Sequence, residues 1–270
     1  MKKFHWRSII LADIIKLIQI FQIFEEKPYS MQPPLLSDNQ VQIWHIPCLI
    51  NQDVIKYLIA DLRADEQEKA TRYRFEKGRN VFVSARTALK WLLSVHTGLP
   101  VSHINLVTND HGKPFLADAA QRELFFNVSH TGNHIVIALS KVDIGIDIET
   151  IKGRHNELAR IVEQGHKIEL ENFSKIREED KFNAFFSWWC RKESFVKGVG
   201  KGLGLSLKSF VASFEPVDQN HLLQVDDPNL AQWCIYNVNA PEGCAGAITY
   251  QGVKRQHTYH DFDWSNALLD

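Results

Sequence analysis

Short apolar runs, each closed by turn residues, recur along the middle of the chain and constrain its fold more than any other feature. Four of them occupy residues 104–108, 124–128, 134–139 and 144–148. Each has the length and composition of a single β-strand. Helical patterns are segregated from these strands, which predicts an α+β protein rather than a doubly wound parallel sheet.

Helical periodicity and further strand signals surround this block. A strand signal at 41–46 precedes helical stretches at 65–75 and 79–96, and after the block come a long polar helical region at 156–181, a clear helix at 182–198, and short strands at 209–214, 232–237 and 244–250. The helix at 79–96 is followed by Gly98 and Pro100, residue types that end helices. The 270 residues allow one large domain or two of about 130 residues each.

The first forty residues differ from the rest of the chain. Apolar residues recur at helical spacing over 10–24, which indicates an amphipathic helix. The run is shorter than the roughly 20 apolar residues of a membrane span, and Asp13 and Lys16 interrupt it. Met31 opens a polar stretch before the first strand. We therefore expect either that translation starts at Met31 or that the helix is real and packs on the body or a partner.

Charge and cysteine content exclude several classes of protein. The chain has 31 Lys+Arg against 32 Asp+Glu, a formal net charge of −1, so no global attraction to nucleic acid or to anionic membranes is predicted. Its 4 cysteines are widely spaced and form no Cys-x-x-Cys pair, which fits neither a zinc site nor a dense disulfide framework. We expect a reducing, cytoplasmic setting.

An alternating segment on the last central strand carries two acids. Successive side chains on a strand point to opposite faces, so Asp147 and Glu149 share one face while Ile146 and Ile148 share the other. Adjacent carboxylates repel each other, and a divalent cation that prefers oxygen ligands, such as Mg²⁺, offsets that repulsion. The pair is therefore a candidate metal site. The alternative is an edge strand whose acids face water, and residues 145–149 alone favour that alternative.

A polar face runs along the helix at 182–198. Trp189, Glu193 and Lys197 recur every four residues and stack along one side, and Lys192 adds a second cation beside the glutamate. Such a glutamate can bind metal or take a proton, and the two cations suit phosphate charge. A plain surface ion pair between Glu193 and Lys197 is the alternative.

Two turns and a glycine-rich stretch complete the candidate motifs. Ser129 and His130 follow a strand and can donate to a phosphate. A Ser-His hydrolase is disfavoured, because neighbours on an extended segment point apart and no nucleophile-elbow motif is present. Residues 112–114 form a Gly-Lys-Pro turn with one cation. The glycine-rich stretch at 198–204 lacks the phosphate-loop pattern and is predicted to be a helix C-cap and turn.

Taken together, these segments resemble the 4′-phosphopantetheinyl transferases of the large, single-chain, surfactin-synthetase-activating type. The similarity covers residues 41–250 and rests on four blocks in order: Gly-Lys-Pro at 112–114, Asn-x-Ser-His at 127–130, Gly-Ile-Asp-Ile-Glu at 145–149 and Trp-x-x-Lys-Glu-Ser-x-x-Lys at 189–197. Each block alone is weak evidence, whereas all four in sequence are highly specific.

The resemblance implies a reaction and a role for each matched residue. The phosphopantetheine arm of coenzyme A would be transferred to a serine of an acyl, peptidyl or aryl carrier protein, and 3′,5′-ADP would be released. The resemblance implies that Asp147, Glu149 and Glu193 bind Mg²⁺, that Glu193 also deprotonates the serine, and that Lys197 and, to a lesser degree, Lys192 stabilise the leaving diphosphate. It implies that Ser129 and His130 bind the pyrophosphate and the 3′-phosphate region of coenzyme A, and that Arg86, Arg79 and Lys69 bind the 3′-phosphate. Gly112, Lys113 and Pro114 would hold the adenine.

The resemblance also implies an architecture. Two similar α+β halves related by pseudo-twofold symmetry, each a small antiparallel sheet packed with helices, would bind coenzyme A between them. We expect an extension at 1–40, an N-terminal half at 41–143 and a C-terminal half at 144–270. Because one chain supplies both halves, a monomer is expected.

Two other functions would use the same residues. A metal-dependent hydrolase of coenzyme A or of another nucleotide diphosphate would direct the metal site at water. A non-catalytic relative would only bind coenzyme A or a carrier protein. The intact acids and lysines argue against the second alternative, because loss of catalysis would not require them to be retained.

Overall fold

The computed structural model describes residues 34–118, 123–153, 155–216 and 218–267. The amphipathic helix predicted at 10–24 and the start predicted at Met31 lie outside the described residues. Within the described ranges, no helix is long and apolar enough to cross a membrane.

Strands and helices are mixed along the chain, and the predicted α+β class is confirmed. The strands are β1 (Gln40–Pro47), β2 (Leu106–Thr108), β3 (Pro114–Leu116), β4 (Phe125–Thr131), β5 (His134–Ser140), β6 (Ile144–Thr150), β7 (Phe210–Ala212), β8 (Leu222–Val225), β9 (Trp233–Asn237), β10 (Cys244–Gln251) and β11 (Gln256–Asp261). The helices are α1 (Gln52–Asp61), α2 (Ala64–Thr71), α3 (Glu76–Thr97), α4 (His155–Val162), α5 (Lys167–Ser174), α6 (Lys181–Val199) and α7 (Trp264–Ala267).

The two larger sheets each combine strands from different parts of the chain. The first sheet has the order β11-β1-β5-β4 and the second sheet the order β6-β10-β9, while β2-β3 and β7-β8 form two-stranded ribbons. Neighbours in the larger sheets are antiparallel except for β1 and β11, which run parallel. β11 belongs to the predicted C-terminal half but completes a sheet of the predicted N-terminal half.

Each larger sheet is covered by helices on one face, and the two sheets share an apolar layer between them. Helices α1 and α3 pack on the first sheet and α6 packs on the second. The shared layer contains Val41, Ile43, Val136, Ala138, Ile144, Ile146, Ile148, Tyr236, Ile248 and Tyr250. Because the three isoleucines of β6 point into this layer, the acids of β6 point to the opposite face, as the alternation predicted.

A row of side-chain hydrogen bonds joins β4 to β6 where the backbones themselves do not pair. We call its members on β4, which are Asn127, Ser129 and Thr131, the polar seam. Their side-chain oxygens accept hydrogen bonds from the backbone amides of Ile146 (2.9 Å), Ile148 (3.2 Å) and Thr150 (3.1 Å), respectively. The seam provides acceptors for backbone amides at the outer edge of the second sheet, and it fixes the register of that sheet against the first sheet.

Glycine at 145 lets α6 approach β6 closely. A Cβ atom at Gly145 would lie 2.1 Å from the carbonyl oxygen of Ser194, a distance that no side chain tolerates. The helix ends at Gly200, whose φ of 73° is left-handed and whose amide donates to Val196 O at 3.0 Å. The predicted C-cap is therefore confirmed. The close approach brings the polar face of α6 to the acids of β6.

Candidate active site

Three carboxylates face one small recess at the junction of β4, β6 and α6. The recess has a volume of about 370 Å³ and is lined by Val128, Ser129, His130, Asp147, Glu149, Trp189, Glu193 and Lys197. The structure thus brings together the acids of the strand motif and the glutamate and second lysine of the helix motif. A solvated edge strand is excluded, because Asp147 is only 3% exposed.

Asp147 is the most constrained of the three acids. Its Oδ1 atom accepts from Lys197 Nζ at 2.6 Å and from Ser129 Oγ at 2.9 Å. Its Oδ2 atom is buried and has no hydrogen-bond partner among the described residues. One oxygen of a buried carboxylate is therefore available to a further cation or donor.

The other two acids are held at raised pKa values. Burial raises the pKa of Glu193, with Asp147 as the next cause, and it raises the pKa of Glu149 in the same way. Lys197 opposes both shifts. A bound divalent cation would offset the repulsion among the three carboxylates that the ammonium of Lys197 does not offset.

The donor set fits a hard divalent cation. Asp147, Glu149 and Glu193 offer carboxylate oxygens only, which suit Mg²⁺, and Asp147 Oδ2 is unsatisfied. Within the described ranges, however, no three His, Cys, Asp or Glu side chains converge closely enough to form a ready-made metal cluster. The ammonium of Lys197 supplies the positive charge at this place instead.

Ser129 and His130 lie on opposite faces of β4, as expected for neighbours on a strand. Ser129 is buried, and its hydroxyl accepts from Ile148 N and from Lys197 Nζ at 3.1 Å while it donates to Asp147. His130 is exposed and lines the recess. The hydroxyl of Ser129 therefore orients Asp147 and Lys197, whereas His130 is the more exposed of the two residues. Phosphate binding by Ser129 and His130 stays a prediction.

A larger cleft of about 850 Å³ adjoins the recess. Its walls are the Gly-Lys-Pro turn at 112–114, the side chains of Glu193 and Lys197, and the loop at 200–208 that follows α6. The predicted adenine-binding turn and the polar face of α6 thus line one continuous space. Its volume lies in the range of small-molecule sites.

Lys192 lies outside the recess, on another side of α6. It is 0% exposed, and its ammonium donates to both carboxylate oxygens of Glu169 at 3.0 Å and to the carbonyls of Leu207 and Phe210 at 2.7 Å. Burial lowers its pKa to about 8, against the opposing charge of Glu169. In this structure the ammonium of Lys192 therefore connects α6 to Glu169 and to the carbonyls of Leu207 and Phe210, and its expected role at the leaving diphosphate stays a prediction.

The three cations expected at the 3′-phosphate divide into two groups. Lys69 and Arg86 both contact the ring of Phe82, with Nζ and Cζ at 5.1 and 5.7 Å from its centroid. Arg79 instead donates to Gln52 at 2.5 Å. None of the three is among the described residues that line the cleft.

Two family models match adjoining parts of the chain. The N-terminal model of 4′-phosphopantetheinyl transferases matches residues 51–142, and the 4′-phosphopantetheinyl transferase superfamily model matches 143–249. Together they include the polar seam, the recess and the turn at 112–114. The chain belongs to the 4′-phosphopantetheinyl transferase superfamily. The resemblance inferred from the sequence motifs is thereby confirmed.

Relatives of this phosphopantetheinyl transferase occur in bacteria and animals. It is 27% identical to the 4′-phosphopantetheinyl transferase HetI of Nostoc sp. over 227 residues, which cover 82% of this chain and 92% of the relative. Identity to the transferase Sfp of Bacillus subtilis is 28% over 161 residues, 60% of this chain and 70% of the relative. A mouse L-aminoadipate-semialdehyde dehydrogenase-phosphopantetheinyl transferase is 27% identical, with 59% of this chain and 55% of the relative covered.

Sequence reasoning missed part of the transferase site. The polar seam has a signal in the alternation of Asn127, Ser129 and Thr131, but that alternation does not reveal a second sheet beside it. Glu169 gave no signal, and the glycine-rich stretch at 198–204 indicated a turn but not its place in the cleft wall, because both depend on tertiary contacts.

Proposed function

We propose that this enzyme transfers the 4′-phosphopantetheine arm of coenzyme A to a serine of an apo acyl, peptidyl or aryl carrier protein and releases 3′,5′-ADP. The observation that carries the proposal is the recess in which Asp147, Glu149, Glu193 and Lys197 meet beside a cleft of about 850 Å³. Membership of the transferase superfamily supports the same reaction.

Mg²⁺ is the proposed metal. Asp147, Glu149 and Glu193 would hold it, and Oδ2 of Asp147 offers an oxygen without another partner among the described residues. When bound, the ion supplies charge neutralisation at the pyrophosphate of coenzyme A.

Glu193 and Lys197 are the proposed catalytic residues. Burial and Asp147 raise the pKa of Glu193, which makes its carboxylate a better acceptor for the proton of the carrier serine. Lys197 is 30% exposed at its side chain, so its ammonium can reach the charge that develops on the leaving diphosphate or donate its proton there.

Coenzyme A is proposed to bind between two pseudo-symmetric halves that divide near Asp143. Gly112, Lys113 and Pro114 would support the adenine, and His130 would contact the pyrophosphate. Lys69, Arg79 and Arg86 remain candidates for the 3′-phosphate. Positioning and charge stabilisation then account for most of the catalysis, as in other phosphoryl transfers.

Intact-protein mass spectrometry tests the proposal. Apo fatty-acid, peptidyl and aryl carrier proteins are incubated with the enzyme, coenzyme A and Mg²⁺. We expect a mass gain of one phosphopantetheine on a single serine, lost with EDTA and reduced about 100-fold or more in Glu193→Gln. Coenzyme A cleaved without any carrier would instead establish a hydrolase. Coenzyme A bound but left intact with every carrier would establish a non-catalytic binding protein.

A further inference from the structure

The turn before β3 is ordered by one asparagine. Oδ1 of Asn109 accepts from the backbone amides of His111 at 3.0 Å and Lys113 at 2.9 Å. The backbone amide of Asn109 donates to Lys113 O at 3.0 Å. Gly112 has a φ of 85°, which a residue with a side chain adopts only under strain. The turn therefore has one defined shape, which presents the Gly-Lys-Pro segment to the cleft.

The same turn is tied to the C-terminal end of α6. Asn109 Nδ2 donates to Gly200 O at 2.8 Å, and Lys113 Nζ donates to Gly198 O at 2.5 Å and to Asp143 Oδ1 at 3.2 Å. The carbonyls at a helix C-terminus have no intrahelical donor and carry partial negative charge, so an ammonium and an amide are suitable partners.

Packing reinforces these bonds. A Cβ atom at Gly200 would lie 2.8 Å from Cδ of Lys113, so the aliphatic stem of the lysine lies directly on the glycine. The side chain of Lys113 is 15% exposed, and burial lowers its pKa although Asp143 opposes the shift. The ammonium of Lys113 thus bonds to Gly198 and Asp143 rather than pointing into the cleft.

The contacts join elements that lie on both sides of the cleft. Residues 111–114 form one wall, and Gly200 belongs to the loop that forms another. Gly198 follows Lys197 directly in the chain, so holding its carbonyl holds the end of the helix that carries the catalytic lysine. A shift of about 1 Å in such a group is enough to cost a large factor in rate.

We propose that Asn109 and Lys113 are positioning residues that latch the Gly-Lys-Pro turn onto the end of α6 and so set the width of the coenzyme A cleft. The inference rests on the proposed function of that cleft. It assigns Lys113 a role through its contacts with α6 and Asp143, while only the backbone of the turn and Pro114 face the ligand. Asn109, which carries no charge, has the same role.

Two variants and a control test the latch. Lys113→Met keeps the aliphatic stem but removes the ammonium, Asn109→Ala removes the amide, and Lys175→Met removes a charge from an exposed position. Binding of coenzyme A is measured by calorimetry over a range of salt concentrations, with transfer kinetics and hydrogen exchange of the amides at 198–202. The wild type must first bind coenzyme A and transfer its arm, which tests the proposed function separately.

The expected result is the same for both latch variants. Each weakens coenzyme A binding roughly tenfold, raises the KM for coenzyme A more than it lowers kcat, and speeds exchange at 198–202, while the salt dependence of binding stays that of the wild type. Lys175→Met changes none of these. A direct ammonium–phosphate contact would give a smaller salt dependence in Lys113→Met and no effect in Asn109→Ala, and that result, or wild-type binding and exchange in both variants, would overturn the latch.

Discussion

At the scale of single residues, the recess holds more negative charge than its own lysine neutralises. Among the residues that line the recess, Asp147, Glu149 and Glu193 face one ammonium, that of Lys197, and Lys152 adds a positive charge near Glu149. Burial is the main cause of the raised pKa values of both glutamates, and the charge of Asp147 adds to it. Burial of a carboxylate costs free energy unless a cation or donor compensates it. A divalent cation bound between these acids would therefore stabilise the site.

A half-buried histidine outside the recess makes the stability of the fold depend on pH. Burial lowers the pKa of His96 from 6.5 to about 4, assisted by the charges of Lys141 and His260. Its Nε2 atom lies 3.1 Å from Gln42 Oε1. In the unfolded chain the histidine takes a proton below pH 6.5, whereas the folded protein resists it. The free energy of unfolding therefore decreases as pH falls from about 6.5 towards 4.

The variant His96→Gln removes this pH dependence. Between about pH 6.5 and 4 the wild type loses roughly 1–2 kcal/mol relative to the variant, a value discounted for the partial exposure of the ring. Urea unfolding at several pH values measures the difference. The exposed His103→Gln serves as control and follows the wild-type profile. Parallel profiles for the wild type and His96→Gln would contradict this assignment.

At the scale of elements, α6 separates two lysines by function. Lys197 faces the recess, whereas Lys192 is 0% exposed on the other side in its ion pair with Glu169. Glu169 also accepts from the amides of His166 at 2.8 Å and Ala212 at 2.7 Å. The buried pair thus connects α6 to the start of α5 and to β7.

Substitution of each lysine by methionine separates stability from catalysis. Lys192→Met leaves a buried carboxylate without its cation and lowers the free energy of unfolding by about 3–5 kcal/mol. Lys197→Met leaves Asp147 without its cation, so it also lowers the free energy of unfolding, but by less because the side chain of Lys197 is 30% exposed, and it reduces kcat roughly 100-fold or more. Thermal melts and transfer assays on both proteins measure these effects. A stable, slow Lys192→Met enzyme would support the expected role of Lys192 at the leaving diphosphate instead.

Much of the fold was predictable, because the apolar periodicity of a long segment indicates its secondary structure without knowledge of its partners. Helices α3 and α6 and strands β1, β4, β5, β6, β9 and β10 were predicted close to their observed bounds. Helix α1 and strands β3, β8 and β11 were not predicted. Strands as short as β3 and β8, with 3 and 4 residues, are defined by their partners rather than by their own residues. The acids of the site and Lys197 share one strand face and one helix face, so sequence spacing predicts their meeting.

The position of Lys192 could not be predicted in the same way. Adjacent residues on a helix point about 100° apart, and which side of the helix meets the protein interior depends on the elements around it. The partner Glu169 lies in α5, in a region that the sequence indicated only as helical. The contacts of Asn109 and Lys113 with α6 could not be predicted for the same reason, because Gly200 and Gly198, respectively, accept through backbone atoms.

At the scale of the whole molecule, the polar seam holds the two larger sheets in register. In an ordinary sheet, backbone groups of neighbouring strands bond to each other. In the polar seam, side chains at alternate positions of β4 accept from the backbone of β6, so each of these side chains must have the right length. Thr131 Oγ1 accepts from Thr150 N at 3.1 Å and lies 3.3 Å from Glu149 Oε2. The end of the seam therefore reaches the recess.

The isosteric change Thr131→Val isolates the seam. It leaves the amide of Thr150 without its acceptor, which costs about 1–3 kcal/mol, and it frees Glu149 from one donor. We expect the melting temperature to be lowered by roughly 2–10 °C. We also expect the rate of phosphopantetheine transfer to increase less when Mg²⁺ is added. The exposed Thr108→Val is the matched control and changes neither quantity. An unchanged melting temperature in Thr131→Val would show that the bond from Thr150 N to Thr131 contributes nothing to stability.

The parallel pairing of β1 with β11 has a consequence for the order of events during synthesis. Thr258 Oγ1 donates to Val41 O, and Trp264 Nε1 donates to Pro47 O, each across 217 positions of the chain. At the usual speed of translation, roughly 10–40 s separate the appearance of the two strands. During that interval β1 can pair with β5 but presents an open edge to other chains. The edge of β1 that β11 covers in the folded protein is therefore most open to other chains before β11 has been made.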